Sequence, residues 1–256
     1  MTGASGTVTV SNSGVLTQTG VMATGQNTIG AGGNISGVAA FGASGAFNVI
    51  TGGVATLANN LVVGSQGNSG SVLVGGTASR LSLEAQLFVG SGSTNPNGAG
   101  SLTEQGGGAV TLTAAADTSK YYLSVGNAVN TSGTVLVTGT GPTLDAGGNG
   151  VTVGSLGTGT LTVSAGAVAR SSSSNSLVNA ALAAGRGAGS AGIVTVTGTG
   201  SSYTASGYVF SGGPGRGRCW WTRAVFSLAG RPRGVQPWRR PSRSVMARLC
   251  WMRTAF

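Results

Sequence analysis

Along most of this chain, apolar and polar residues alternate in short runs separated by glycine-rich turns. The runs recur as one phrase: an apolar stretch ending in Val-Gly or Ala-Gly, a turn, then Gly-x-(Val/Leu)-x-Val. Leu61-Val62-Val63-Gly64 precedes Ser71-Val72-Leu73-Val74, and Leu123-Ser124-Val125-Gly126 precedes Gly133-Thr134-Val135-Leu136-Val137. Further copies are Val151-Thr152-Val153-Gly154 with Gly159-Thr160-Leu161-Thr162-Val163, and Leu182-Ala183-Ala184-Gly185 with Ile193-Val194-Thr195-Val196. Leu87-Phe88-Val89-Gly90 with Gly100-Ser101-Leu102-Thr103 is a looser one. Period-two alternation with β-branched residues suits strands that have one face inward and one face wet. Leu177 to Ala184 is the only stretch in which a helical period competes.

Units of this size cannot bury an apolar face alone and must stack. The glycines Gly64, Gly90, Gly126, Gly154 and Gly185 lie 26, 36, 28 and 31 residues apart. A propeller blade holds its length more tightly, whereas a solenoid lets loops of any length leave one side of a coil. The pattern therefore predicts an all-β chain folded as a parallel β-helix, a β-solenoid of irregular glycine-rich repeats. Val72, Val74, Val135, Val137, Leu161, Val163, Val194 and Val196 are expected to face its core.

Composition divides the chain near Pro214. Residues 1–213 hold 45 of the 49 glycines, four basic residues and all four acidic ones, so the formal charge of +10 comes from the last 43 residues. That tail contains ten arginines, all four tryptophans and both cysteines, Cys219 and Cys250. An arginine-rich arm interleaved with aromatics can neutralise phosphates and stack bases. A reading-frame slip explains it more simply. Read one base earlier, the codons of Cys219-Trp220-Trp221-Thr222 give Leu, Met or Val followed by Leu-Val-Asp, a strand of the repeat's own kind. The expectation is a solenoid over 1–213 and, over 214–256, a disordered, frameshifted tail with no stable packing against it. No nucleic-acid partner is then expected.

The N-terminus runs from Met1-Thr2-Gly3-Ala4-Ser5 into Thr7-Val8-Thr9-Val10 with no basic region or continuous apolar segment, so no secretion signal is expected in this chain. No stretch approaches the roughly 20 apolar residues of a membrane span. Residues 1–213 lack cysteine, which excludes a disulfide frame and thiolate metal sites there. A solenoid starting and stopping within its array leaves uncapped edges, so the chain is expected to be a piece of a longer array. It is also expected to self-associate through those edges, more so as salt screens the basic tail.

The phrase Val-Gly-x-x-Gly-x-Gly-x-Leu-x-Val at Val153 to Val163, with Ala-Gly-Arg-x-x-Gly-x-x-Gly-x-Val-x-Val-x-Gly-x-Gly-Ser at Ala184 to Ser201, resembles a known repeat. It is shared by passenger domains of type V autotransporters and by PEP-CTERM surface proteins of bacteria. The resemblance covers about residues 60–212, more faintly 3–59, and not the tail. It implies a parallel β-helix displayed at the cell surface or secreted, associated with the outer membrane, usually longer than this chain and anchored by a C-terminal region that this sequence does not show.

The chain has no histidine, which removes Ser-His-Asp and Cys-His arrangements and His-based metal sites. Carboxylate-pair hydrolysis of polysaccharides would need Glu84 and Glu104, or Asp117 and Asp145, to converge. Solvated loop positions are the expectation for all four. Gly187-Ala188-Gly189-Ser190-Ala191-Gly192 matches a dinucleotide loop in letters, but a strand follows where a helix should open, so it reads as a turn. Gly147-Gly148-Asn149-Gly150 lacks the aspartate of a calcium-binding repeat. No catalytic, cofactor or metal site is expected. The residues that stand out are Tyr121, Tyr122, Tyr203 and Tyr208, which on an outer wall could meet a glycan, a surface or a protein partner, and which could equally stack inward between coils as a ladder of similar side chains. A structural or adhesive module leads; a fragment of a β-helix polysaccharide hydrolase or lyase is the alternative, and nucleic-acid binding through the tail is a weaker third.

Overall fold

The computed structural model describes residues 5–19, 26–31, 34–35, 38–39, 44–92, 97–113, 123–148, 150–173, 180–212, 216–222 and 225–228. These residues form a parallel β-solenoid without helix. Each inner coil contributes one strand to each of three sheets, and each inner strand of these sheets pairs in parallel with its equivalents in the coils before and after. Sheet A holds β1 (Ser5–Val10), β6 (Ser44–Ile50), β9 (Ser69–Gly75), β12 (Ala99–Gln105), β15 (Ser132–Thr138), β18 (Thr158–Ser164), β21 (Ala191–Thr197) and β24 (Arg216–Thr222). Sheet B holds β2 (Val15–Gln18), β7 (Val54–Leu57), β10 (Arg80–Leu83), β13 (Ala109–Leu112), β16 (Thr143–Asp145), β19 (Val168–Ser172), β22 (Ser202–Ser206) and β25 (Val225–Leu228). Sheet C holds β3 (Gln26–Ala31), β8 (Asn60–Ser65), β11 (Leu87–Ser91), β14 (Leu123–Val125), β17 (Val151–Val153), β20 (Leu182–Ala184) and β23 (Val209–Ser211). A small antiparallel pair, β4 (Asn34–Ile35) and β5 (Val38–Ala39), leaves the wall between β3 and β6.

In sheet A the alternation places one residue in two inside, and parallel in-register pairing stacks like on like. One inward ladder runs Phe47, Val72, Leu102, Val135, Leu161 and Val194, all buried. The eight residues expected to face the core all do so. Burying each such side chain contributes about 1.5–3 kcal/mol, and only stacking achieves it. Leu182 to Ala184, where a helix competed in the sequence, is strand β20.

Coil length varies because the insertions lie between sheets B and C and between C and A, whereas the A-to-B corners stay short. Ser79 and Ser201 close two of those short corners, their hydroxyls donating to the carbonyls of Gly75 and Thr197 at 2.7 Å in both. The C-to-A corner sets the glycine rule. Gly30, Gly64, Gly90, Gly126, Gly154 and Gly185 each end a sheet C strand with φ between 65° and 73°. A Cβ on Gly64 would overlap the Ala99 carbonyl of β12, and one on Gly100 would overlap the Val63 carbonyl. The same reciprocal packing joins Gly90 with Gly133, Gly126 with Gly159, and Gly154 with Gly192. Both glycines of the repeated phrase are thus required by backbone approach between coils, not by turn conformation alone.

The boundary expected at residue 213 does not mark the end of strand pairing. β24 pairs with β21, placing Gly217 beside Gly192 in the glycine column, and β25 pairs with β22. The sequence predicts no stable packing against the solenoid beyond residue 213; the backbone pairing of these two strands continues the ladders there, and trimming the chain at Gly213 measures whether it contributes stability. Ladder hydrogen bonds use backbone groups, so an arginine- and tryptophan-rich segment can continue a sheet that its composition does not suggest. The disorder expected of the remaining tail concerns residues outside those described.

Candidate functional site

The three acidic residues that are described, Glu84, Glu104 and Asp145, do not converge into a site. Glu104 lies on β12 at an inward position, paired in register with Val74 on one side and Val137 on the other. It is fully buried, and neither carboxyl oxygen has a hydrogen-bond partner. Desolvation pushes its pKa well above the ordinary carboxylate range; the Val110 backbone opposes this but falls short of a hydrogen bond. The loop position expected for Glu104 is therefore wrong, because Gly100-Ser101-Leu102-Thr103-Glu104 follows the register of Gly70 to Val74 and puts residue 104 where the coils on both sides carry valine. Glu84 is exposed just past β10, so the two glutamates cannot face one substrate. Asp145 on β16 is held by Arg170 on β19 at 2.6 Å, an exposed rung between coils. Asp117 lies outside the described residues. No cluster of three or more potential metal ligands occurs among those described.

The tyrosines separate. Tyr121 and Tyr122 lie outside the described residues. Of the two readings open for Tyr203, surface contact or inward stacking, the structure takes the second: the residue is fully buried on β22, with its ring in the inward column occupied by Ala169 on β19. Its hydroxyl lies 2.8 Å from Ser171 Oγ, which donates to the Ala181 carbonyl at 2.6 Å. The small alanine in the preceding coil leaves room for the ring, and the serine receives its polar end. Tyr203→Ala should lose about 3–5 kcal/mol and Tyr203→Phe only about 1 kcal/mol in denaturant unfolding. Equal stability of both variants and the parent would return Tyr203 to the surface. Tyr208 is 52 % exposed and stands beside exposed Phe210 on β23.

A groove of about 480 Å³ runs across successive C-to-A corners, lined among others by Asn97, Val129, Asn130, Leu156 and Ala188. Val129 and Leu156 are 57 % and 47 % exposed. Sequence reasoning missed them because they lie in turns of different coils; their one shared signal is a place two or three residues after the corner glycines Gly126 and Gly154. Thr131, which lines the groove, donates to the Ala128 carbonyl at 2.7 Å and closes the turn there. Gly187 to Ser190 likewise closes a turn through Ser190 Oγ, and β21 follows rather than a helix. This wall offers apolar side chains flanked by amides, and among the described residues it carries no acid.

No protein-family model matches the chain, and neither the curated proteins nor the solved structures compared with it yield a match.

Proposed function

We propose that this chain is a non-enzymatic structural or adhesive module of a bacterial surface or secreted protein, working through the outer wall of its solenoid. The observation that carries the reading is the placement of the acids. Among the described residues, Glu104 is sealed in the apolar core and Asp145 is engaged by Arg170, an arrangement that supports a non-catalytic role for both. The wall instead presents the corner groove with Val129 and Leu156, and the Tyr208–Phe210 edge, where an apolar body next to amides and a phenol suits a sugar face or a protein partner. Display outside the cell is supported by the resemblance of the repeat to autotransporter passengers and PEP-CTERM surface proteins.

Two assays test the proposal. Reducing-sugar release from a panel of polysaccharides should be absent, and turnover lost in Asp145→Ala would put the hydrolase reading first. Binding of the purified chain to glycan arrays and to bacterial surfaces should fall at least about tenfold, or 1.4 kcal/mol, in Leu156→Asp or Tyr208→Ala. Undiminished binding in both variants would exclude the groove and the aromatic edge as the working surface.

A further inference from the structure

The two ends of the described solenoid carry complementary vacancies. Ser5-Gly6-Thr7-Val8-Thr9-Val10 has the full signature of an inner coil: Gly6 pairs with Gly45 in the glycine column, and Val8 pairs with buried Phe47. Yet a Cβ on Gly6 would meet nothing within 4 Å, Val8 is 50 % exposed, and Leu16 on β2 is open in the column where Ala55 and Leu81 are sealed. At the other end Ser211 pairs with Ala184, which puts Gly212 in the corner column after Gly185. Gly212 has the corner conformation, φ 78°, and a Cβ there would also meet nothing within 4 Å. Inside the solenoid these two columns pack on each other, Gly154 against Ala191 and Gly192 against the Val153 carbonyl. Gly6 and Gly212 are the unfilled halves of that contact.

We propose that the N-terminal face is a docking surface for the C-terminal end of a second copy of this chain, with β1 adding to β24 in sheet A and β2 to β25 in sheet B. The interface continues the coil-to-coil contact that the molecule already makes with itself. β1 and β24 are the end strands of one sheet, β2 and β25 of another, and all run parallel, so the second copy extends each ladder in the same sense. Docking covers Val8 and Leu16 and sets Gly6 against the Gly212 corner. Because the two faces differ, the contact is head-to-tail and does not close. This inference rests on the solenoid and its ends, and stands apart from what the wall binds.

Sedimentation velocity of the full chain across a concentration series tests it. The parent should show an open series of oligomers. Gly6→Val should leave the thermal midpoint of the dilute monomer unchanged, since a single chain has space for the side chain, and should weaken association at least about tenfold. Leu156→Asp, on the side wall, should associate as the parent does. A parent that is monomeric throughout, association undiminished in Gly6→Val, a lowered monomer midpoint in Gly6→Val, or association lost in Leu156→Asp would each overturn the proposal.

Discussion

Glu104→Val is expected to raise the thermal midpoint by about 5–10 °C at neutral pH, the gain following from roughly 2–3 kcal/mol of relieved desolvation. The glutamate interrupts a ladder that reads Val49, Val74, Glu104, Val137, Val163 and Val196, so valine restores the side chain carried by the coils on both sides. β9, β13 and β15, which pack against it, carry no titratable side chain, and Arg80 on neighbouring β10 is exposed. Nothing charged therefore offsets ionisation, and the carboxyl stays protonated in the folded state over a range where the unfolded chain has released its proton. Its unfolded value is near 4.5 and its folded value is raised. The native state thus binds the extra proton above about pH 4.5. Stability is fullest below that pH and falls as pH rises toward the folded value, by at most about 1.4 kcal/mol per pH unit. Denaturant unfolding from pH 4 to 9 should show this slope in the parent and lose it in both Glu104→Val and Glu104→Gln. A flat parent profile, or destabilisation by Glu104→Val, would place the carboxyl in a solvated or paired setting.

Gly154→Ala should remove about 3–5 kcal/mol, enough to leave much of the protein unfolded or aggregated. Two effects add. The residue is held at φ 70°, where a Cβ is disfavoured by about 1–2 kcal/mol, and that Cβ would overlap the Ala191 carbonyl of β21. A backbone carbonyl inside a parallel ladder cannot yield without breaking coil pairing, including the bond from the Gly154 amide to the Val125 carbonyl at 2.7 Å. Two other glycines separate these effects. Gly189 has φ 75° with nothing within 4 Å of a Cβ, and Gly148 has open space and no left-handed conformation. Calorimetry of Gly148→Ala, Gly189→Ala and Gly154→Ala should give an unchanged midpoint, a modest drop of about 1 kcal/mol and a severe loss, in that order. Equal effects at Gly154 and Gly189 would mean that conformation alone sets the corner.

How much of this was legible follows from which interactions are local. The inward valines and leucines could be read because period-two alternation is written along a single strand. The parallel stack followed from a repeated phrase whose loops vary in length. Glu104 was misplaced because its chemistry argued for water while its register argued for the core, and the register, fixed by Gly100 against Val63, prevailed. Tyr203 was ambiguous until Ala169 in the preceding coil was known to lie beside it. The groove of Val129 and Leu156 joins turns from separate coils, and the extension of the sheets by β24 and β25 uses backbone bonds to which composition is blind. The steric reason for the two glycines is likewise a contact between coils, invisible within one copy of the phrase.

The parallel, in-register stack is tested most directly by pulsed electron–electron distances between spin labels on the outer column of sheet A, diluted with unlabelled protein and with Cys219 and Cys250 replaced by serine. Thr7, Ser71, Thr134 and Ile193 share this column by register, and each step to the next coil advances about 4.8 Å. The Ser71–Ile193 pair, four coils apart, should lie near 19 Å, and the Thr7–Ile193 pair, six coils apart, near 29 Å, both estimates being multiples of the roughly 4.8 Å spacing. Distances that grow with coil number in this way are the predicted result, and distances that fail to scale with it would contradict the stacked solenoid.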